Sequence, residues 1–365
     1  MIPELLKPIV ALNLVPGLGP VTYRKLMEHF GSPAEVIRAP LSHLRQVEGI
    51  TETVAKGIKF PNLEARGEEE MVHASGEGIR ILTWDDPDYP GQLREIYAPP
   101  TILYAKGNVS ALRSTQFAIV GCRDASVYGR QTASTIAREL AEAGVTVTSG
   151  MAMGIDSAAH EGALAAGGTT VAVLGAGLSR IASGSPSEMA SRILKSGGVL
   201  VSEFPLRMNA APGHFPIRNR IISGLSAGVL VVEAKAKSGA LITVDAALEQ
   251  GREVYAVPGN IDSIRSEGTH RILKQGAKLV TRAEDILQDL SLSIQESGPR
   301  QFKKSADLGP AENTLLAFLD QQPRHVDELI SQANLATKDA ITALSFLELK
   351  GFAKQLPGKN YVSVR

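Results

Sequence analysis

The sequence predicts an α/β protein with a central parallel sheet between helices, a small helical domain before it and a winged helix-turn-helix after it. Three observations support this. Residues 79–290 alternate short β-branched apolar runs with helix-length stretches. Residues 1–65 show short helical patterns joined by glycine turns, and residues 312–365 show three helical patterns followed by a hairpin. Near-continuous apolar runs are typical of strands buried on both faces, as in parallel sheets.

Two glycine turns divide the helical patterns of residues 1–65. The first is Leu14–Val21 and the second is Val47–Thr51. They follow the helix-hairpin-helix pattern, whose glycines expose N–H groups that can hold a DNA phosphate. The first is a candidate DNA contact. The second, with Thr51 at its second glycine position and Glu48 beside the turn, is expected to be structural. A role of both turns in packing or protein contacts alone stays equally open.

The middle domain, residues 66–290, is predicted to be an open doubly wound sheet. Its apolar runs are each closed by glycine or a polar turn, and helix-length stretches such as Thr132–Ala143 and Ser157–Ala166 separate them. Strands that alternate with crossover helices form βαβ units. The predicted strands include Phe117–Val120, Val145–Thr148, Val171–Leu174, Gly228–Val232 and Val254–Val257.

The C-terminal region is predicted to be a linker, residues 291–311, followed by a winged helix, residues 312–365. The linker is rich in Ser, Gly, Pro and Lys and lacks periodicity. The third helix, Thr337–Lys350, carries two lysines and two acidic residues. Helices that read a DNA groove are normally clearly basic. A protein-contact or regulatory role is therefore favoured over sequence-specific reading of duplex DNA.

Composition excludes several classes of protein. The 365 residues include 38 basic and 38 acidic side chains, so no bulk polyanion-binding tail is expected. A single cysteine excludes an intramolecular disulfide framework and a cysteine-based zinc site. No segment approaches the roughly 20 apolar residues that span a bilayer. The sequence predicts a soluble, cytoplasmic protein without membrane partners.

The predicted strands of the middle domain are followed by small residues, mostly glycine. In a parallel sheet these strand ends lie along one edge. Glycine lets the backbone approach a ligand, and a following helix offers free N–H groups. One such loop is more often a plain turn, but five in succession predict a row of sites for a phosphate-bearing ligand. The loops are 121–129, 149–156, 175–177, 233–243 and 258–259.

The ligand is expected to be a mononucleotide or a polynucleotide backbone, because the dinucleotide and P-loop fingerprints are absent. One segment places Phe215 beside three polar side chains, Arg218, Asn219 and Arg220. Arginine binds phosphate bidentately, and an aromatic ring offers a stacking surface for a base. In the alternative interpretation the ring belongs to the core, and the arginines pair with Glu203 or Glu233.

Several motifs occur in a fixed order along residues 79–290. They are Gly121-Cys122-Arg123, Ser149 to Asp156, His160, Gly175, Ser202 to Pro205, Phe215 to Arg220, Ser238 to Thr243, and Pro258-Gly259. In this order they resemble the DNA-processing protein A family, DprA/Smf. The resemblance implies an extended Rossmann domain that binds single-stranded DNA, and a helical domain similar to a sterile-alpha-motif fold. It also implies a homodimer that protects incoming DNA and loads the recombinase RecA in natural transformation.

The resemblance assigns roles to individual positions. Arg123 matches the family's DNA-contacting arginine, although Cys122 replaces the usual serine before it. The segment around Phe215 matches the strand-contacting segment, and Lys237 begins a phosphate-lining loop. No cofactor or metal is expected. The predicted DNA-binding residues are Gly121, Arg123, Ser149, Gly150, Met151, Gly154, Gly175, Phe215, Arg218, Asn219, Arg220, Lys237, Ser238, Gly239 and Thr243.

A nucleotide hydrolase is the alternative function. Asp156, His160 and Glu203 offer a general acid–base set, as in the nucleoside-monophosphate phosphoribohydrolases, whose fold is similar. Their signature, Pro-Gly-Gly-x-Gly-Thr-x-x-Glu, is absent. We favour a non-enzymatic binder in which Asp156 caps a helix and His160 is a helix residue under the sheet edge. Cys122 is expected to fill a tight turn, rather than to be a thiol of lowered pKa.

Overall fold

The computed structural model describes residues 3–181, 185–291, 308–320 and 322–363. The predicted linker, 291–311, lies mostly outside these residues, at 292–307. The chain divides into two compact units, residues 1–125 with 132–294, and residues 126–131 with 295–365. None of the helices in the described ranges combines the length and apolar character that a bilayer span requires.

A single mixed sheet organises the first unit. Its strands among the described residues are β1 (Ile79–Thr83), β2 (Ile102–Gly107), β3 (Gln116–Val120), β4 (Thr146–Ser149), β5 (Thr170–Val173), β6 (Val199–Ser202), β7 (Gly228–Val231), β8 (Glu253–Ala256) and β9 (Lys278–Leu279). Their order is β1-β2-β6-β5-β4-β3-β7-β8-β9. In this spatial order, all neighbouring strands from β6 through to β9 pair in parallel, which confirms the predicted parallel sheet. Strand β2 pairs antiparallel with β1 and β6, and this extends the sheet at one edge.

The strand order reverses between β3 and β7. From β3 the chain builds outward through β4 and β5 to β6, and it then returns to place β7 on the other side of β3. In a doubly wound sheet the crevice at such a switch point is the usual ligand site, because the loops after the two strands diverge there. Of the five loops that the sequence predicts to hold a ligand, the topology therefore favours the two that follow β3 and β7.

Helices cover both faces of this sheet. Alternate residues of one strand face different cores: Val171 and Val173 face one, and Ala172 faces the other. This alternation on two apolar faces explains the near-continuous hydrophobic runs of the sequence. Between β1 and residue 291 the helices are α7 (Gly91–Arg94), α8 (Val127–Glu142), α9 (Ile155–Ala165), α10 (Ser185–Lys195), α11 (His214–Gly224), α12 (Ala240–Glu249), α13 (Glu267–Lys274) and α14 (Glu284–Asp289), with 3-10 turns at Val109–Arg113 and Leu178–Arg180.

The N-terminal helices share a hydrophobic core with one face of the sheet. Val10 and Leu12 of this region are buried in the same cluster as Tyr104 and Leu200 of the strands. The helices are α1 (Pro3–Asn13), α2 (Pro20–Phe30), α3 (Pro33–Arg38), α4 (Leu41–Leu44), α5 (Glu52–Ile58) and α6 (Leu63–Gly76). The predicted boundary at 65/66 falls inside α6, and the domain limits stay a prediction.

Both predicted glycine turns lie between helices. Gly17, between α1 and α2, and Gly49, between α4 and α5, have φ of 83° and 87°, a region that favours glycine. Thr51 caps α5, since its side chain accepts a hydrogen bond of 3.3 Å from the N–H of Val54. Thr51, which departs from the helix-hairpin-helix pattern, therefore has a structural role as the N-cap of α5.

The second unit contains the predicted winged helix. Its elements are α15 (Pro310–Phe318), β10 (Arg324–His325), α16 (Val326–Ala333), α17 (Thr337–Leu349), β11 (Ala353–Leu356) and β12 (Asn360–Ser363). The strands pair in the order β10-β12-β11. Gly358 and Lys359 have positive φ in the turn between β11 and β12, as the sequence predicts for this hairpin.

Candidate nucleic-acid interface

A cavity of about 460 Å³ opens at the switch point of the sheet. The loops after β3 and β7 form two of its sides, and the start of α11 forms a third. It is therefore built from segments far apart in the sequence. Nine of the predicted residues line it: Gly121, Arg123, Phe215, Arg218, Asn219, Lys237, Ser238, Gly239 and Thr243.

The other six predicted residues do not line the cavity. Several support it from behind: Ser149 is fully buried and donates a hydrogen bond of 2.6 Å to the Ile119 carbonyl. Gly175 lies close to the ring of Phe215: a Cβ at this position would be only 3.0 Å from the ring. The six predicted residues that do not line the cavity are Ser149, Gly150, Met151, Gly154, Gly175 and Arg220.

Arg218 is a buried part of the wall. Its side chain is 4% exposed, and its Nη1 donates hydrogen bonds to the carbonyls of Gly150, at 2.7 Å, and Val173. Asp156 lies nearby: a Cβ on Gly150 would stand 2.1 Å from Arg218 Nη1 and 2.7 Å from Asp156 Oδ2. Burial lowers the pKa of Arg218 and raises that of Asp156, and the attraction between them opposes both shifts. The guanidinium thus ties the ends of β4 and β5 together.

Arg220 is engaged in a bidentate ion pair. Its Nη1 and Nη2 lie 2.8 Å and 2.6 Å from the two carboxylate oxygens of Glu203. The alternative interpretation expected such a pair, and for Arg220 it is confirmed. The guanidinium fork that was predicted to hold a phosphate is occupied by a carboxylate of the protein.

Arg123 and Phe215 form a cation–π pair in the cavity. The Cζ of Arg123 lies 4.8 Å from the centroid of the Phe215 ring, and Arg123 is exposed. On the neighbouring wall, Asn219 Nδ2 donates a hydrogen bond of 3.1 Å to the carbonyl of Gly239. This bond joins the start of α11 to the loop before α12. A planar cation on an aromatic ring presents a flat surface that suits a nucleobase.

Cationic side chains surround the cavity. Arg123 and Lys237 are exposed, and neither makes an ion pair among the described residues. The prediction omitted Lys235 and Asp124, which also line the cavity. Lys235 carried a signal, since residues 207–237 hold five Lys and Arg residues against one acidic residue, whereas nothing in the sequence marks Asp124.

Two glycines of the strand-end loops are needed by the protein itself. Gly154 has φ of 87°, and a Cβ there would lie 2.4 Å from the Cys122 carbonyl. A Cβ on Gly121 would lie 2.5 Å from Ile155 Cγ1. Close packing between the loops after β3 and β4 therefore explains both glycines. A Cβ on Gly239, by contrast, would meet nothing within 4 Å, so this loop faces open space.

The residues proposed for acid–base chemistry are each engaged with another partner. His160 is fully buried, its Nδ1 lies 2.7 Å from Thr170 Oγ1, and Glu203 pairs with Arg220. Asp156 is not the cap that we expected: Gly154 is the N-cap of α9, and Asp156 accepts a 3.4 Å hydrogen bond from the N–H of Ala152. No group of three or more His, Cys, Asp or Glu residues in the described ranges has a metal-binding arrangement.

Cys122 fills a tight turn at the cavity. Its N–H donates a hydrogen bond of 2.8 Å to the Glu233 carbonyl, and its side chain is 7% exposed. Burial, aided by the Glu233 carboxylate, raises the pKa of the Cys122 thiol to about 12. The thiol is therefore protonated at neutral pH, in agreement with the turn-filling role and against a lowered pKa.

Three family models match the chain. Residues 80–291 match DNA recombination-mediator protein A, residues 300–359 match the DprA winged helix domain, and residues 10–60 match a SAM-like helix-hairpin-helix tandem. The three matches follow the order of the helical region, the sheet and the winged helix. They agree with the predicted fold class in all three parts of the chain.

Similar proteins carry the same family name. Protein Smf of Escherichia coli strain K12 is 43% identical over 78% of this chain and 77% of its own length. The structure of DNA processing protein A from Streptococcus pneumoniae aligns with a TM-score of 0.64 and 33% identity, over 78% of this chain and 97% of that one. A structure reported for the single-stranded DNA binding mode of the Helicobacter pylori protein aligns with a TM-score of 0.52 and 27% identity, over 58% of this chain and 96% of that one. On this evidence the chain belongs to the DprA/Smf family of DNA-processing proteins.

Proposed function

We propose that the chain is a non-enzymatic protein that binds single-stranded DNA in the cavity at the switch point of the sheet. The observation that carries the proposal is the combination found there: exposed Arg123 and Lys237 beside a half-buried aromatic ring, Phe215. Phosphates require cations, and unpaired bases require flat stacking partners. A cavity that offers both suits a single strand better than a duplex, whose bases are not free to stack.

Phosphates are assigned to the open side of the cavity. Arg123, Lys235 and Lys237 supply positive charge, and the exposed backbone at Gly239 precedes helix α12. The N–H groups of Ala240, Leu241 and Ile242 already donate to Ser238 and Gly239, so the start of α12 favours an anion through the positive end of its dipole. Arg218 and Arg220 are already engaged with carbonyls and a carboxylate, so we assign them to holding the walls rather than to contacting phosphate.

A base is assigned to the pair formed by Arg123 and Phe215. Stacking of a base on such a surface contributes about 1–3 kcal/mol and tolerates every base. Binding should therefore show weak sequence preference. The similar structure from Helicobacter pylori, reported for its binding of single-stranded DNA, supports this choice of ligand.

The cellular role that we propose follows from family membership. The chain would act in the cytoplasm as a homodimer, protect incoming single strands and load the recombinase RecA onto them during natural transformation or recombination. Loading is measured with single-stranded DNA coated by single-strand-binding protein, on which RecA hydrolyses ATP slowly. Addition of the chain should restore the rate of ATP hydrolysis. An unchanged rate would overturn the loading role.

Salt dependence tests the binding function most directly. The affinity for a fluorescein-labelled oligodeoxythymidine, followed by fluorescence anisotropy, should fall with salt along a slope of about −0.7 for each phosphate contacted. Lys237→Ala should make that slope shallower by about 0.7. Lys195→Ala, on an exposed lysine of α10 that does not line the cavity, is the matched control. A wild-type affinity independent of salt would overturn the phosphate assignment.

The hydrolase alternative lacks a supporting observation. Asp156, His160 and Glu203 each have another partner in the structure. Incubation with nucleoside monophosphates, followed by chromatography, should yield no free base. Release of free base would restore this alternative.

A further inference from the structure

A carboxylate lies between two cations at the rim of the cavity. Asp124 Oδ2 is 2.8 Å from Arg265 Nη2 and 3.4 Å from Lys235 Nζ. Arg265 Nε also donates a hydrogen bond of 2.6 Å to the backbone carbonyl of Asp124. The Arg265 carbonyl in turn accepts a 2.8 Å hydrogen bond from the N–H of Ala234, just after β7. The three side chains are thus held at the edge of the crevice between β3 and β7.

The three side chains are open to solvent. Asp124 is 67% exposed, Lys235 is 44% exposed and Arg265 is 32% exposed. Ion pairs this exposed contribute little to folding stability. Hydrogen bonds from Lys235 and Arg265 lower the pKa of Asp124, so the carboxylate is ionised at neutral pH. Its main physical effect is therefore on the local potential, because it offsets the positive charge beside the cavity.

We propose that the strand-binding surface continues from the cavity onto Lys235 and Arg265, and that Asp124 is an internal counter-ion which a DNA phosphate displaces. The inference rests on the proposed function. A phosphate entering between the two cations would take over the hydrogen bonds that the Asp124 carboxylate now accepts. Asp124 would then be released into solvent beside a second negative charge, and this opposes binding. Asp124 therefore limits affinity while it keeps the two cations in place.

The variant Asp124→Asn tests this inference. Asparagine keeps the shape and an acceptor for Arg265, and it removes the charge. Affinity for oligodeoxythymidine at low salt should rise about fivefold, the scale of one unit-charge interaction at contact distance in water. The salt slope should steepen by up to about 0.7 for each phosphate no longer opposed by the carboxylate.

Two further variants separate this effect from a general change in charge. Asp88→Asn is the matched control, because Asp88 also pairs with two cations, Arg80 and Arg113, and does not line the cavity. It should leave the affinity unchanged. Arg265→Gln, placed in the Asp124→Asn background, should abolish most of the gain, because it removes one of the two cations that the phosphate would reach.

The outcomes distinguish this inference from the proposed function. Wild-type binding that depends on salt, combined with an affinity of Asp124→Asn no higher than wild type, would overturn the counter-ion and leave the function standing. A gain that survives Arg265→Gln, or that Asp88→Asn reproduces, would also overturn it. Absence of wild-type binding would overturn both. Asp124→Ser provides a second test if the asparagine variant does not fold, and thermal unfolding by circular dichroism checks each variant.

Discussion

The guanidinium of Arg123 lies over the ring of Phe215, with its Cζ 4.8 Å from the ring centroid. Arg123 follows β3 and Phe215 begins α11, so the fold joins a cation and an aromatic ring from separate parts of the chain. In the proposed function, the cation would meet a phosphate and the flat groups of the pair would meet a base.

Phe215→Leu should weaken binding of single-stranded DNA by about 1–3 kcal/mol, because leucine keeps an apolar side chain but offers no flat face for a base. Fluorescence anisotropy with oligodeoxythymidine measures the change. Ile217→Ala, on an exposed residue of the same helix that does not line the cavity, is the control and should bind as wild type. Equal affinity of Phe215→Leu and wild type would remove the stacking assignment.

Arg218→Met should lower the free energy of unfolding by about 3 kcal/mol or more, because each buried acceptor left without its donor costs about 1–3 kcal/mol. The buried carbonyls of Gly150 and Val173 would lose their donor, and Asp156 would lose its neighbouring cation. Urea denaturation measures the loss. Arg123→Met replaces an exposed arginine of the same cavity. Its free energy of unfolding should stay within about 0.5 kcal/mol of the wild-type value. Similar losses in both variants would contradict a wall-holding role specific to Arg218.

Gly154→Ala should destabilise the fold by about 2 kcal/mol or more, since φ of 87° is unfavourable for alanine and its Cβ would collide with the Cys122 carbonyl. Gly239→Ala is the comparison: its φ is −61° and a Cβ there meets nothing within 4 Å. The second variant should unfold at the wild-type temperature. If both melt at the same temperature as wild type, close packing does not explain Gly154.

Stability should fall as the pH drops from about 6.5 towards 3, and His160 should contribute to this loss. Thr170 Oγ1 donates to the Val147 carbonyl, so His160 must donate to Thr170 through Nδ1, which leaves its buried Nε2 without a partner. Burial, aided by the charge of Arg218, lowers the pKa of His160 to about 3. The folded state therefore binds fewer protons than the unfolded state between these pH values, and stability decreases by up to about 1.4 kcal/mol per pH unit.

The variant His160→Asn isolates this contribution. Asparagine places an amide donor near the position of Nδ1 and does not titrate in this range. Urea denaturation at several pH values should give a shallower decline for the variant than for wild type. Identical declines would show that His160 is not responsible for the pH dependence.

Much of the fold is determined by the local sequence. The apolar runs around Phe117 and Val171 predict buried parallel strands, because a strand covered on both faces has little choice of residue type. The glycine at position 358 predicts the hairpin of the winged helix, because glycine readily adopts the positive φ that this turn requires. These signals depend on period and turn chemistry, which neighbouring residues are sufficient to encode.

The roles of the arginines depend on the tertiary structure. Arg218 and Arg220 lie two positions apart in one basic segment. Nothing in the sequence around them shows that their roles differ from that of Arg123. The fold places Arg218 against buried carbonyls, sets Arg220 on Glu203 and leaves Arg123 exposed over a ring. A charged side chain takes its role from the partners within a few ångströms of it, and packing brings those partners from distant parts of the chain. Sequence thus determined the sheet and the chemical character of its edge, and tertiary structure decided which cations stay open to a ligand.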